Sequence, residues 1–167
     1  MAASPIQAGA GVEVYQLSRG LQLDDRENPN LFVRSSAKEI WQKIATKTRP
    51  LHGALVTGSP GIGKSRSLTY LLKLLLETRQ TVIFECRKTE MVFLFTVGQD
   101  GQYIVQSEAT SGAWAEDINS IRCDINNWHL VDAGEARGPV QAGARLVLAA
   151  SPTTTSLSKA MGFYHIT

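Results

Sequence analysis

The chain has 167 residues, 43 % of them hydrophobic and 19 % charged, with a formal net charge of +2. That length suits one domain with a sizeable core, and the charge is too small to argue for a nucleic-acid surface or for attraction to an acidic membrane. Met1-Ala2-Ala3-Ser4-Pro5 lacks the basic-then-apolar pattern of a secretory signal, and no run approaches the ~18 apolar residues that read as a membrane span.

Residues 1 to 30 are rich in Ala, Gly, Ser, Gln, Asp and Asn and read as a flexible N-terminal arm, with Val12, Val14, Tyr15 and Leu17 spaced to form a short edge element. Asn28-Pro29-Asn30 closes the arm as a turn. Ser36-Ala37-Lys38-Glu39 has the form of a capping box, and Ile40, Trp41 and Ile44 follow at helical spacing, which predicts a helix over 36–47 ended by Pro50. A strand is expected over 52–57 and a second helix over 64–78. Thr81 to Cys86 reads as a further strand.

Met91 to Val97 and Tyr103 to Gln106 flank Gln99-Asp100-Gly101-Gln102, where Asp-Gly between apolar runs signals a hairpin. Trp114, Ile118, Ile121 and Arg122 suggest a short helix or turn; Trp128 to Asp132 and Ala144 to Ala150 read as buried strands; Ser158 to Met161 reads as the start of a last helix. Strands that alternate with helices and are apolar along their whole length predict an α/β fold, with a mostly parallel sheet covered on both faces and the hairpin inserted near its edge. Cys86 and Cys123 have no metal-ligand spacing and read as reduced thiols of an intracellular protein.

The stretch between the first strand and the second helix carries the chemistry. Gly58, Gly63, Lys64 and Ser65 stand in the fixed places of G-x-x-x-x-G-K-[ST]. Glycines let the backbone turn its N–H groups onto a phosphate, a lysine reaches the β- and γ-phosphates, and a hydroxyl after it serves Mg²⁺. Gly58, Ser59, Pro60, Gly61, Ile62, Gly63, Lys64, Ser65 and Arg66 are therefore the expected nucleotide-binding residues, for ATP with Mg²⁺. Asp132, at the carboxyl end of an apolar strand, is the expected partner of Ser65 at the metal.

Catalytic assignments beyond Lys64 and Asp132 are thinner. Many hydrolysing loops of this kind place a glutamate directly after the aspartate, but here Ala133 follows and the nearest acid is Glu135. Glu85, at the end of its strand, is an alternative base by position, although strand-end charges are common. Ser151, after the apolar run Leu146 to Ala150, is the expected γ-phosphate sensor, on a strand lying between those of the loop and of Asp132. Arg137 and Arg145 are considered as charge stabilisers, though each reads better as a surface arginine. His52, His129 and His165 have no metal-like spacing and receive no catalytic role.

In that order, Leu31-Phe32-Val33-Arg34, the loop from Val56 to Ser65, the strand Thr81-Val82-Ile83-Phe84, the hairpin, Trp128-His129-Leu130-Val131-Asp132 and Ala150-Ser151-Pro152 resemble the NTPase module of crinkler-type effectors and retrotransposon hot spot proteins. Both belong to the wider AAA+/STAND-like NTPases. The resemblance covers about residues 31–167 and implies a three-layer P-loop NTPase core, ATP and Mg²⁺ as ligands, and action inside a cell, often in a nucleus or a host, with a host or nuclear protein as partner. Longer members append a helical lid and an effector domain, so this chain is expected to be the nucleotide core alone. Three functions then fit: an ATPase-type module with slow hydrolysis, a nucleotide-binding interaction module without turnover, and a small metabolite kinase. The late position of the loop and the lack of an Arg-rich lid count against the third.

Overall fold

A computed structural model describes residues 6–7, 11–17, 30–46, 53–110, 116–134, 143–150 and 164–166. At the N-terminal side, β1 (Ile6–Gln7), β2 (Val12–Gln16) and β3 (Asn30–Arg34) form a small antiparallel sheet in that order. Alternation along β3 puts Leu31 and Val33 inside, while Phe32 and Arg34 face outward. Tyr15 and Leu17 join Leu31 and Val33 in the main core. Residues 12–17, expected within a loose arm or as an edge element, thus include the middle strand of this sheet and are built into the core.

Helix α1 (Ser35–Thr46) starts one residue earlier than its capping-box pattern indicated. The backbone N–H and the hydroxyl of Ser35 both donate to the Gly11 carbonyl, at 2.9 and 3.0 Å, so a partner on the turn before β2 fixes the start. Ser36 falls inside the first turn. Trp41 and Ile44 are buried, and the helix packs on the next one.

The main sheet is built from β4 (Gly53–Val56), β5 (Val82–Cys86), β6 (Met91–Val97), β7 (Tyr103–Ala109), β8 (Trp128–Gly134), β9 (Arg145–Ala150) and β10 (Tyr164–Ile166), with α2 (Lys64–Glu77) and α3 (Glu116–Cys123) between strands. Its order is β10-β4-β9-β8-β5-β6-β7. The first five are parallel, and β6 and β7 add an antiparallel hairpin at the edge, as expected. The hairpin closes through Gly98 N–H to Gln102 O at 2.7 Å, with Gly101 at φ +75°, where its missing side chain removes the usual steric cost.

The strands are apolar throughout because both faces are covered. Leu68, Leu71, Leu72 and Leu75 of α2 recur at three- and four-residue spacing and lie against Val82, Phe84, Leu130 and Val147 on one face. Ile118 of α3 packs on Ile83, Val92 and Leu94 on the other. Leu71→Ala would cost about 2–5 kcal/mol through the cavity it leaves. The molecule is therefore α/β, with a mostly parallel sheet flanked by helices.

The helix expected over Ser158 to Met161 lies outside the described residues, as do Pro50 and Trp114. Strand β10, which the sequence pattern did not announce, pairs in parallel with β4 at the sheet edge.

Candidate functional site: a glycine loop, a lysine and a strand-end aspartate

Strand β4 delivers the chain to the carboxyl edge of the sheet at Val56, and α2 begins at Lys64. Between them the backbone takes positive φ at Gly61 (+79°) and Gly63 (+92°), and a Cβ at either would meet nothing, so backbone conformation and not crowding demands glycine there. Gly63 caps α2 without a side-chain hydrogen bond. The first N–H groups of a helix have no intrahelical acceptor, which leaves this end suited to an anion.

Lys64 folds back over the loop. Its Nζ donates to the carbonyls of Gly58 at 2.7 Å and Ser59 at 3.0 Å, so the ammonium sits where the loop curves. Ser59 and Pro60 form the crest of the loop, Ile62 is 51 % exposed, and Arg66 lies in the first turn of α2.

Sixty-seven residues on, Asp132 meets this loop: Ser65 Oγ donates to Asp132 Oδ1 at 2.9 Å. The contact follows from topology. Asp132 pairs with Cys86 across β5 and with Ala149 across β9, both of which belong to the core under α2, so the three share the α2 face. A hydroxyl and one carboxylate are the hard oxygen donors that suit a Mg²⁺ keeping water and phosphate as its other ligands. No group of three or more His, Cys, Asp or Glu that would cage a metal is present among the described residues.

The remaining sequence-derived residues separate. Strand β9 does lie between β4 and β8, the place expected for the strand before Ser151. Ser151, Glu135 and Arg137 lie outside the described residues, as does His52. Ala133, directly after Asp132, is buried with Leu146 and Leu148 on the opposite sheet face, so that position offers nothing to the loop.

For Arg145 the charge-stabiliser option is corrected. It begins β9 at the amino edge of a parallel sheet, away from the loop, stacks over the Trp128 ring at 5.3 Å and donates from Nε to Ile125 O at 3.2 Å. It is a structural arginine, not a phosphate stabiliser.

For Glu85 the alternative-base option is corrected too. It pairs in register with Val131, one residue before Asp132, and so points to the other face. There its Oε1 accepts from Arg87 Nε at 2.9 Å and its Oε2 lies 3.2 Å from Nε2 of fully buried His129. Burial works to raise the Glu85 carboxyl, but the hydrogen bonds from His129 and Arg87 outweigh it and hold the group below its ordinary range. His129 is pushed down, chiefly by burial, against the pull of Glu85. A carboxylate so committed is a poor base for water at the loop. His129, given no role from its spacing, is part of this internal lock.

Sequence reasoning passed over Arg87. The signal was its place two residues beyond Glu85, immediately after an apolar strand, where a residue leaves the sheet at the loop's edge. Cys86 and Cys123 are both free thiols, as expected. Among the described residues no helix is long and apolar enough to cross a membrane. Compared with known proteins, the chain matches no family model, no curated protein and no solved structure.

Proposed function

We propose that the chain binds ATP with Mg²⁺ through the loop from Gly58 to Arg66 and turns it over slowly, as a three-layer P-loop NTPase module of the crinkler and retrotransposon hot spot type, acting inside a cell with a protein partner. One observation carries the reading: Ser65, directly after the loop lysine, bonds to Asp132 at the end of a strand 67 residues away. A Gly-rich turn serving only to join β4 to α2 has no need of a hydroxyl–carboxylate pair at that place.

The roles follow from the residues. Backbone N–H groups at the start of α2 receive phosphate oxygens, and Lys64 exchanges two neutral carbonyl acceptors for an anionic one, which makes a stronger hydrogen bond. Ser65 and Asp132 would hold Mg²⁺, which when bound supplies positive charge to the phosphate oxygens. Ser151 remains the proposed sensor, and Glu135 the proposed base.

A binding module without turnover is the second reading. It is favoured by Ala133, whose burial in an apolar cluster removes the position that would normally carry the water-activating acid. Titration with a fluorescent ATP analogue and a phosphate-release assay, each with and without Mg²⁺, test both. The parent is expected to bind ATP, to lose that binding on Lys64→Ala with its melting temperature kept, and to release phosphate well below ~1 s⁻¹, the low end of ordinary enzyme rates. Equal affinity of parent and Lys64→Ala would remove the loop assignment. Turnover abolished by Glu135→Gln would decide for the enzyme over the binding module.

A further inference from the structure

Arg87 is the first residue beyond β5, and its N–H donates to the Asp132 carbonyl at 3.1 Å. Asp132 is in turn one hydrogen bond from Ser65 of the loop. Neighbouring strands lie about 4.8 Å apart, so the Arg87 backbone starts one strand-width from that of Asp132 at the carboxyl edge of the sheet. Its head rests on the Glu85 face and has to swing round the strand end to reach the loop. We propose that Arg87 is a γ-phosphate-binding residue held in reserve by Glu85, and that a nucleoside triphosphate draws it from carboxylate to phosphate. The inference rests on the nucleotide-loop reading above and adds to it a residue that discriminates triphosphate from diphosphate.

Three features of the lock suit release. The Arg87 side chain is 21 % exposed while His129 is 0 % exposed, so the arginine is the member with a way out. Glu85 holds its two partners through different oxygens, Oε1 to Arg87 and Oε2 to His129. When Arg87 leaves, the carboxylate gives up that counter-charge but keeps its hydrogen bond to His129. An arginine also gains by the exchange, because its planar fork matches a phosphate bidentately.

The site has a use for it. The loop brings Lys64 and, in the first turn of α2, Arg66, while Ala133 is buried away from it and Arg145 is at the far edge of the sheet. Charge on a transferring phosphoryl group is commonly met by an arginine, and Arg87 supplies one from within the chain.

The opposite signs expected for Arg87 and Glu85 variants make the test. Affinities for fluorescent ATP and ADP analogues are measured on the parent, Arg87→Ala, Glu85→Gln, the double variant and Lys88→Ala, with melting temperatures alongside. Lys88 is an exposed cation in the same turn and controls for charge alone. Arg87→Ala should weaken ATP about tenfold, as for a lost hydrogen bond to a charged group, with ADP unchanged. Glu85→Gln keeps a partner for His129 but removes the charge that holds Arg87 Nε, and should tighten ATP severalfold; the double variant should match Arg87→Ala. Lys88→Ala should shift ATP and ADP alike and little.

Equal losses for ATP and ADP in Arg87→Ala, or an unchanged ATP affinity there, overturn the inference while leaving the loop reading intact. Weaker ATP binding by a well-folded Glu85→Gln overturns it too. If Glu85→Gln does not fold, the ATP-to-ADP ratio of Arg87→Ala against Lys88→Ala decides alone. A parent that binds neither nucleotide overturns the loop reading and this inference with it.

Discussion

Asp132 and Glu85 look alike in sequence, each an acid near the end of an apolar strand, yet they end in opposite environments. Asp132 pairs with Cys86 and lies half-buried on the α2 face, within reach of Ser65. Glu85 pairs with Val131, a single register step away, and is buried on the other face between His129 and Arg87. The difference is parity: side chains alternate across a sheet, so one residue along the strand moves an acid from the open edge of a loop into the interior. An acid at a strand end meets the loop's hydroxyl or joins a buried lock according to the face it occupies.

The largest effect that would break this contrast is on stability. Glu85→Ala takes the carboxylate away from Nε2 of buried His129 and from Arg87 Nε, and a buried polar group that loses such a partner costs about 1–3 kcal/mol. Asp132→Asn keeps an acceptor for the Ser65 hydroxyl and should change stability by no more than about 0.5 kcal/mol. Denaturant midpoints of the two variants check this, and equal midpoints would show that the faces do not differ as described.

On nucleotide binding the ranking should invert. Asp132→Asn keeps the shape but loses the charge proposed to organise Mg²⁺ and its water, so ATP should still bind while its Mg²⁺ dependence falls. A Mg²⁺ titration indistinguishable from the parent's would make Asp132 a plain strand-end acid.

Much of this arrangement was legible in the residues. Parallel strands buried on both faces read as unbroken apolar runs, which is why β5, β8 and β9 stand within a residue or two of their expected places. The loop announced itself because its glycines, lysine and serine answer to local chemistry alone. The parity of Glu85 was not legible, because it is set by register with β8, a pairing between distant stretches. Ser35 displaced Ser36 at the start of α1 for the same kind of reason: its acceptor is Gly11, twenty-four residues back. Strand β10 has three residues, too few to show a period, and is defined by pairing with β4. The place of Arg145 was readable, since a residue that opens a parallel strand belongs to the edge opposite a loop at the carboxyl ends. Its stacking on Trp128 was not, because the ring arrives from another strand.

The smallest expected effect concerns pH, and it sharpens the picture of the lock. His129 is held neutral in the folded chain, below its ordinary value of 6.5, so the unfolded chain binds the extra proton as pH falls past that value. Stability then drops as pH falls through and below about 6.5, continuing until the depressed folded value is reached. Glu85 acts in a lower window: its folded value is below its ordinary 4.5, so its contribution is complete above 4.5 and fades as pH falls further. The two effects have the same sign and start at different pH. His129→Gln keeps a donor for Glu85 but cannot titrate, so between pH 7 and 5 the variant's stability should fall less steeply than the parent's, as read from melting curves across that range. Below pH 4.5 Glu85 adds its own loss in both proteins. A parent whose stability rises from pH 7 to 5 would mean that His129 is charged in the fold, and that the group around Glu85 is a salt-bridged triad and not a carboxylate shared between a neutral ring and a releasable arginine.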